Sequence, residues 1–221
     1  MTSDGGLPNP DATANMRVIS PEAVAAAVQI LRDGGLVVFP TDTVYGVGVA
    51  LSRLDAVEKV YALKGRDRSK PLQVLLADAA DATGVAADLS PLAQMAVDRL
   101  LPGPVTLVVK NGELVDPQVV AGGKTVGIRV PDAAVCRALV AALGEPIAAT
   151  SANRSGEPSP VTATEAAAGI GSGVDLILDA GPCPAGREST VIDLTGEAPR
   201  VLRWGALGKA ELEAILGCAV E

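Results

Sequence analysis

Short apolar runs alternate with capped helical segments along most of this chain, and that alternation limits its fold more than any other feature. Leu36-Val37-Val38-Phe39 is a continuous apolar run closed by Pro40, the form of a strand buried on both faces. Ahead of it, Ser20 as N-cap, Pro21 at the first helical position and Glu22 in the first turn open a helix that Gly34-Gly35 stops. Further helices are predicted from Ser52, with Asp55 at capping-box spacing, to Gly65, and over 91–101 behind Ser90. Others are predicted over 133–143, over 163–168 behind Thr162, and over 209–216. Strands are predicted over 72–77, 105–110, 126–130, 147–149, 175–178, 191–194 and 201–203. Such alternation argues for an α/β fold, a twisted mixed sheet flanked by helices. With no repeat and no linker, a single domain is expected over 17–216, between a polar N-terminal arm (1–16) and a C-terminal tail (217–221).

Composition then removes whole classes of function. There is no histidine, which excludes Ser-His-Asp and Cys-His triads, histidine bases and imidazole-dependent zinc sites. Phe39, Tyr45, Tyr61 and Trp204 are the only aromatic residues, too few for a base-stacking platform. A net charge of −8 argues against a surface that grips nucleic acid all round. Three cysteines without a C-x-x-C pair predict neither a disulfide framework nor a thiolate cluster, and no residue set predicts a metal site. No basic, apolar leader and no membrane-length apolar run is apparent, so a cytoplasmic protein off the membrane is expected.

Four long polar loops break the pattern: 40–46, 64–71, 151–160 and 181–190. In the second, Lys64, Arg66, Arg68 and Lys70 place four of 18 cations within seven residues of an acidic protein. Such a cluster is either a solvated helix end favoured by the macrodipole or a grip on a polyphosphate. Gly122-Gly123-Lys124-Thr125 has the tail of a P-loop without its first glycine, and Gly46-Val47-Gly48 lacks the third glycine of a dinucleotide fingerprint. Arg129 and Arg203 are charges inside apolar strand runs and require anionic partners. Those partners are structural carboxylates such as Asp132 or Asp193, or a ligand.

In order along the chain, Pro40-Thr41-Asp42-Thr43-Val44-Tyr45-Gly46-Val47-Gly48, Lys64-Gly65-Arg66, Lys70-Pro71-Leu72, Pro102-Gly103-Pro104-Val105-Thr106, Arg129-Val130-Pro131, Ser151-Ala152-Asn153-Arg154-Ser155-Gly156, Glu188-Ser189-Thr190 and Val201-Leu202-Arg203-Trp204-Gly205 resemble the signatures of the YrdC/TsaC family, the threonylcarbamoyl-AMP synthases. The resemblance spans about 17–216 and is to the short, single-domain form. It implies a YrdC-like sheet around a large electropositive cavity, and a reaction of L-threonine, bicarbonate and ATP, with Mg2+ accompanying ATP. The products would be threonylcarbamoyl-AMP and pyrophosphate. Downstream threonylcarbamoyl-transfer proteins would use the adenylate to modify tRNA beside the anticodon.

By the same resemblance, Thr43, Arg129, the backbone of Ala149 and Ser189 would bind threonine. Arg66, Lys70, Thr125, Ser151, Ser159 and Arg203 would bind ATP. Lys64, Arg66 and Asn153 would be catalytic, with Lys64 reaching the phosphates. Leu75 stands where many relatives have a histidine, Arg154 where leucine is usual and Asp67 where proline is. The alternative reading is a non-catalytic module of the same fold that binds double-stranded RNA or tRNA. A third is a relative that carbamoylates another acceptor.

Overall fold

The computed structural model describes residues 15–221. Its strands are β1 (Met16–Val18), β2 (Val37–Phe39), β3 (Gly46–Ala50), β4 (Gln73–Leu75), β5 (Val105–Lys110), β6 (Thr125–Arg129), β7 (Ile147–Ser151), β8 (Leu176–Asp179), β9 (Thr190–Asp193) and β10 (Arg200–Arg203). Its α-helices are α1 (Pro21–Arg32), α2 (Leu54–Lys64), α3 (Ala82–Val85), α4 (Pro91–Leu100), α5 (Ala134–Leu143), α6 (Ala163–Ile170) and α7 (Lys209–Leu216). The strands form one ten-stranded sheet in the order β1-β8-β2-β3-β7-β4-β6-β5-β9-β10. It is mixed: β4 runs parallel to β6 and β5 parallel to β9, whereas β3/β7, β5/β6 and β9/β10 are antiparallel.

Helix starts follow local chemistry where it was legible. The side chains of Ser20, Ser90 and Thr162 each accept a backbone N–H of the following first turn. Ser52 does not cap α2. Its N–H and hydroxyl are both taken by the Glu145 carboxylate, so the helix begins at Leu54 behind an Arg53 that makes no cap. The predicted arm ends early, because Met16–Val18 pairs with β8; its residues 1–14 lie outside the described residues. Residues 217–221 fold back against the domain: Glu221 exchanges backbone hydrogen bonds with Val201 and Pro199, and Val220 is buried.

How the two faces are covered creates the site. On one face Val47, Val74, Leu107, Val126, Ile128, Ala148 and Ile192 join residues of α2, α4, α6 and α7 in the main core. On the other, α1 and α5 cover only one part of the sheet, where Val37, Phe39, Ala50, Leu75, Ile147 and Leu178 form a smaller core. Because strand side chains alternate between faces, Gln73, Thr106, Val108, Thr125, Gly127, Arg129 and Val191 lie on this second face beyond the two helices. These positions line a cavity.

Candidate functional site

The cavity has a volume of about 610 Å³. It is lined by nine of the twelve residues singled out in the sequence: Thr43, Arg66, Lys70, Thr125, Arg129, Ala149, Ser151, Ser189 and Arg203. They come from the 40–46 loop, the segment after α2, strands β6, β7 and β10, and, for Ser189, the loop just before β9. Arg66, Lys70, Arg129 and Arg203 face it, with Glu188 the one carboxylate in its lining. A protein of net charge −8 thus concentrates positive charge in one hollow.

Arg129 sits at the bottom, 2% exposed. Its Nη2 donates to Asp42 Oδ1 at 2.5 Å, its Nη1 to Thr43 Oγ1 at 2.8 Å, and its Nε to the Gly103 carbonyl at 3.2 Å. The predicted structural partners were wrong: Asp132 lies near Arg137 and Asp193 pairs with Arg200. Burial lowers the Arg129 pKa and the Asp42 charge opposes it. Three of the five N–H groups of a guanidinium are engaged by protein, leaving two for a ligand.

Also in the lining, Arg203 Nη1 pairs with Glu188 Oε2 at 2.6 Å, and Nη2 donates to the Ser189 carbonyl at 2.9 Å. The β9/β10 register shifts between Val201 and Arg203, and this bulge is why the adjacent residues Leu202 and Arg203 both line the cavity. Gly205 must be glycine, since a Cβ there would lie 2.2 Å from the Glu188 carbonyl. Trp204, at 45% exposure, is the one large aromatic side chain left open among the described residues.

The cation cluster splits in two. Arg66 lines the cavity, held by Nε to the Lys70 carbonyl at 3.1 Å and Nη2 to the Pro71 carbonyl at 2.9 Å, and Lys70 lines it beside Arg66. Arg68 turns away onto Glu58 and lies 5.5 Å from the Tyr61 ring centroid. Lys64, expected to reach phosphate, is instead 3% exposed behind the wall. Its ammonium donates to the carbonyls of Ser151 and Asn153 and to Asn153 Oδ1, which uses all three of its N–H groups. Burial, with the Arg66 charge adding, pushes its pKa down to about 8.

Asn153 is likewise behind the lining: it accepts from Ser151 Oγ at 2.6 Å and donates to the Glu157 carbonyl at 2.6 Å. Ser159 reaches the site only through Glu188, to whose Oε1 it donates at 2.6 Å. Leu75, at the position of the family histidine, is buried in the smaller core and does not line the cavity. Sequence reasoning passed over Asp42, Gln73, Thr106 and Glu188. All but Gln73 lie inside quoted motifs, so their presence there was the available signal.

Cys136 and Cys183 are buried with thiol pKa values pushed up to about 12 and about 11, and neither lines the cavity. Among the described residues no group of three or more His, Cys, Asp or Glu could hold a metal ion. No helix there is long and apolar enough to cross a membrane.

A half-covered mixed sheet with a cation-lined cavity defines an α/β protein with a hollow whose lining is suited to an anionic ligand. Comparison with known proteins narrows that class. Residues 29–205 match the Sua5/YciO/YrdC family, described under telomere recombination. The threonylcarbamoyl-AMP synthase of Bacillus subtilis is 38% identical over 208 residues, covering 94% of this chain and 60% of its own length. A Mycobacterium tuberculosis relative is 36% identical over 194 residues, covering 88% of this chain and 89% of its own. A crystal structure of Pyrococcus abyssi Sua5 complexed with L-threonine superposes with a TM-score of 0.88 at 36% identity, covering 93% of this chain and 61% of that one. The chain therefore belongs to the YrdC/TsaC (Sua5) family. It spans about three fifths of the Bacillus and Pyrococcus relatives.

Proposed function

We propose that this chain is a threonylcarbamoyl-AMP synthase, forming threonylcarbamoyl-AMP, pyrophosphate and water from L-threonine, bicarbonate and ATP. The observation that carries the reading is convergence: the residues matching the family's threonine set and most of those matching its ATP set line one cavity. In this reading the threonine amine displaces water from bicarbonate, giving the carbamate. A carbamate oxygen then attacks the α-phosphorus, the bond to the bridging oxygen breaks, and pyrophosphate leaves with that electron pair.

Such a displacement depends on positioning and charge neutralisation more than on a tuned base. The free N–H groups of Arg129 take the threonine carboxylate, near Thr43, Ser189 and the backbone of Ala149. Arg66, Lys70 and Arg203 take the phosphates, with Thr125 and Ser151 lining the nucleotide side. Mg2+ enters as part of the MgATP substrate, carried on the phosphates, since Glu188 is the only lining carboxylate and is engaged by Arg203 and Ser159. Lys64 and Asn153 act as positioning residues that fix the 151–153 segment. In the cell the adenylate would pass to transfer proteins that modify tRNA.

The test is incubation with labelled threonine, bicarbonate and MgATP. Pyrophosphate release and an adenylate that both depend on threonine are expected. No such release, together with salt-sensitive tRNA binding, would establish the non-catalytic reading instead; equal use of serine would point to another acceptor.

A further inference from the structure

A hydrogen-bond chain runs along the cavity lining from Gln73 through Thr106 to Ser189. Thr106 Oγ1 lies 3.0 Å from Gln73 Oε1 and 2.8 Å from Ser189 Oγ. A carboxamide oxygen only accepts, so the single Thr106 hydroxyl proton goes to Gln73. Ser189 must then donate its own proton to Thr106. Arg203 Nη2 approaches Ser189 Oγ from the other side at 3.3 Å. The Ser189 hydroxyl has thereby spent its proton and one lone pair, and what it offers the cavity is a remaining lone pair, an acceptor.

The other hydroxyl of the amino-acid wall, that of Thr43, is not fixed in this way. Thr41 Oγ1 donates to the Val44 carbonyl at 2.6 Å and accepts the backbone N–H groups of Thr43 and Val44 at 3.1 and 3.2 Å, which uses its proton and both lone pairs, so the Thr43 hydroxyl, 2.9 Å away, keeps its own proton free to turn toward the cavity. Thr43 Oγ1 in turn accepts from Arg129 at 2.8 Å. An acceptor at Ser189 thus accompanies the donors of Arg129, a pattern that suits a ligand carrying both an anion and an N–H or O–H donor.

Thr106 is held for this role. It is 4% exposed, and its methyl carbon lies 3.0 Å from where a Cβ at Gly127 would sit, so the missing side chain of Gly127 makes the space that sets the Thr106 rotamer.

We infer that Thr106 and Gln73 are positioning residues that fix the direction of the Ser189 hydroxyl, and so set how well the site accepts the ammonium or side-chain hydroxyl of its amino-acid substrate. The inference rests on the synthase reading, and the wild-type assay above tests that reading separately. In an active wild-type background, Thr106→Val keeps shape and removes the relay. The loss of one such hydrogen bond should raise the KM for threonine by about three- to tenfold. The KM for ATP, kcat and thermal midpoint should stay close to wild type. Thr106→Ser should restore the threonine KM, and Gln73→Met, which removes the terminal acceptor, should reproduce the defect.

L-2-aminobutyrate, which lacks the hydroxyl, identifies the donor. A Thr106→Val defect confined to threonine assigns it to the side-chain hydroxyl, and a defect shared by both amino acids assigns it to the ammonium. An unchanged threonine KM in Thr106→Val, or equal losses for threonine and ATP, would overturn the inference while leaving the synthase reading intact.

Discussion

Replacing Arg129 with methionine separates its structural part from its chemical one. The side chain is 2% exposed and ion-paired to Asp42 at 2.5 Å. Asp42 Oδ2 already lacks a hydrogen-bond partner among the described residues. Methionine fills much of the arginine's volume but strands a buried carboxylate, and breaking a buried pair from one side costs about 3–5 kcal/mol. At roughly 2–4 °C per kcal/mol for a domain of this size, Arg129→Met should melt about 6–20 °C below wild type. Adding Asp42→Leu removes the stranded charge. Apolar replacement of a whole buried pair is commonly neutral or better, so the double variant should regain most of the lost stability. Threonine-dependent pyrophosphate release should not return with it, because the guanidinium is gone. Calorimetry and the pyrophosphate assay on wild type, Arg129→Met and the double variant read both quantities. A single variant melting within about 2 °C of wild type, the range of a surface change, would refute the structural half. Recovery of activity in the double variant would refute the chemical half.

Arg66→Ala should raise the KM for ATP severalfold while changing stability by about 0.5 kcal/mol or less, since only exposed contacts to the Lys70 and Pro71 carbonyls are lost; an unchanged ATP KM would make the 64–71 loop a plain helix end. Glu188→Gln removes the one carboxylate from the cavity lining and should tighten ATP binding in a direct titration; weaker binding would mean that Glu188 helps to hold the nucleotide or its metal. Lys64 should shape the stability profile at alkaline pH. With its pKa lowered from 10.5 to about 8, the folded chain binds fewer protons than the unfolded chain between those values. This group is therefore a cost below about pH 8 that is relieved as pH rises toward 10.5. Wild type should gain stability relative to Lys64→Met across that window, and identical pH slopes would contradict the burial.

What was legible in the chain was local. Ser20, Ser90 and Thr162 announce helix starts because a cap needs only the next turn. Ser52 carries the same signal, yet Glu145, distant in sequence, takes its hydroxyl. Strand β3 was hidden because Gly46 and Gly48 read as a turn; pairing with β2 and β7 overrides that propensity. Family-like motifs located the cavity residues, but motif membership does not reveal direction. Lys64 and Arg66 are two residues apart, and helix α2 ends between them. One therefore points behind the wall and the other into the cavity. The polarity of Ser189 depends on Gln73, which is 116 positions away and adjacent only through the sheet.

On the proposed mechanism a triphosphate and an amino acid share this one hollow. A crystal structure of the protein with threonine and a non-hydrolysable ATP analogue tests it most directly. The amino-acid carboxylate is expected against Arg129 and the phosphates against Arg66, Lys70 and Arg203, with Glu188 released from Arg203. Nucleotide bound on another surface, with the cavity empty or holding threonine alone, would contradict it.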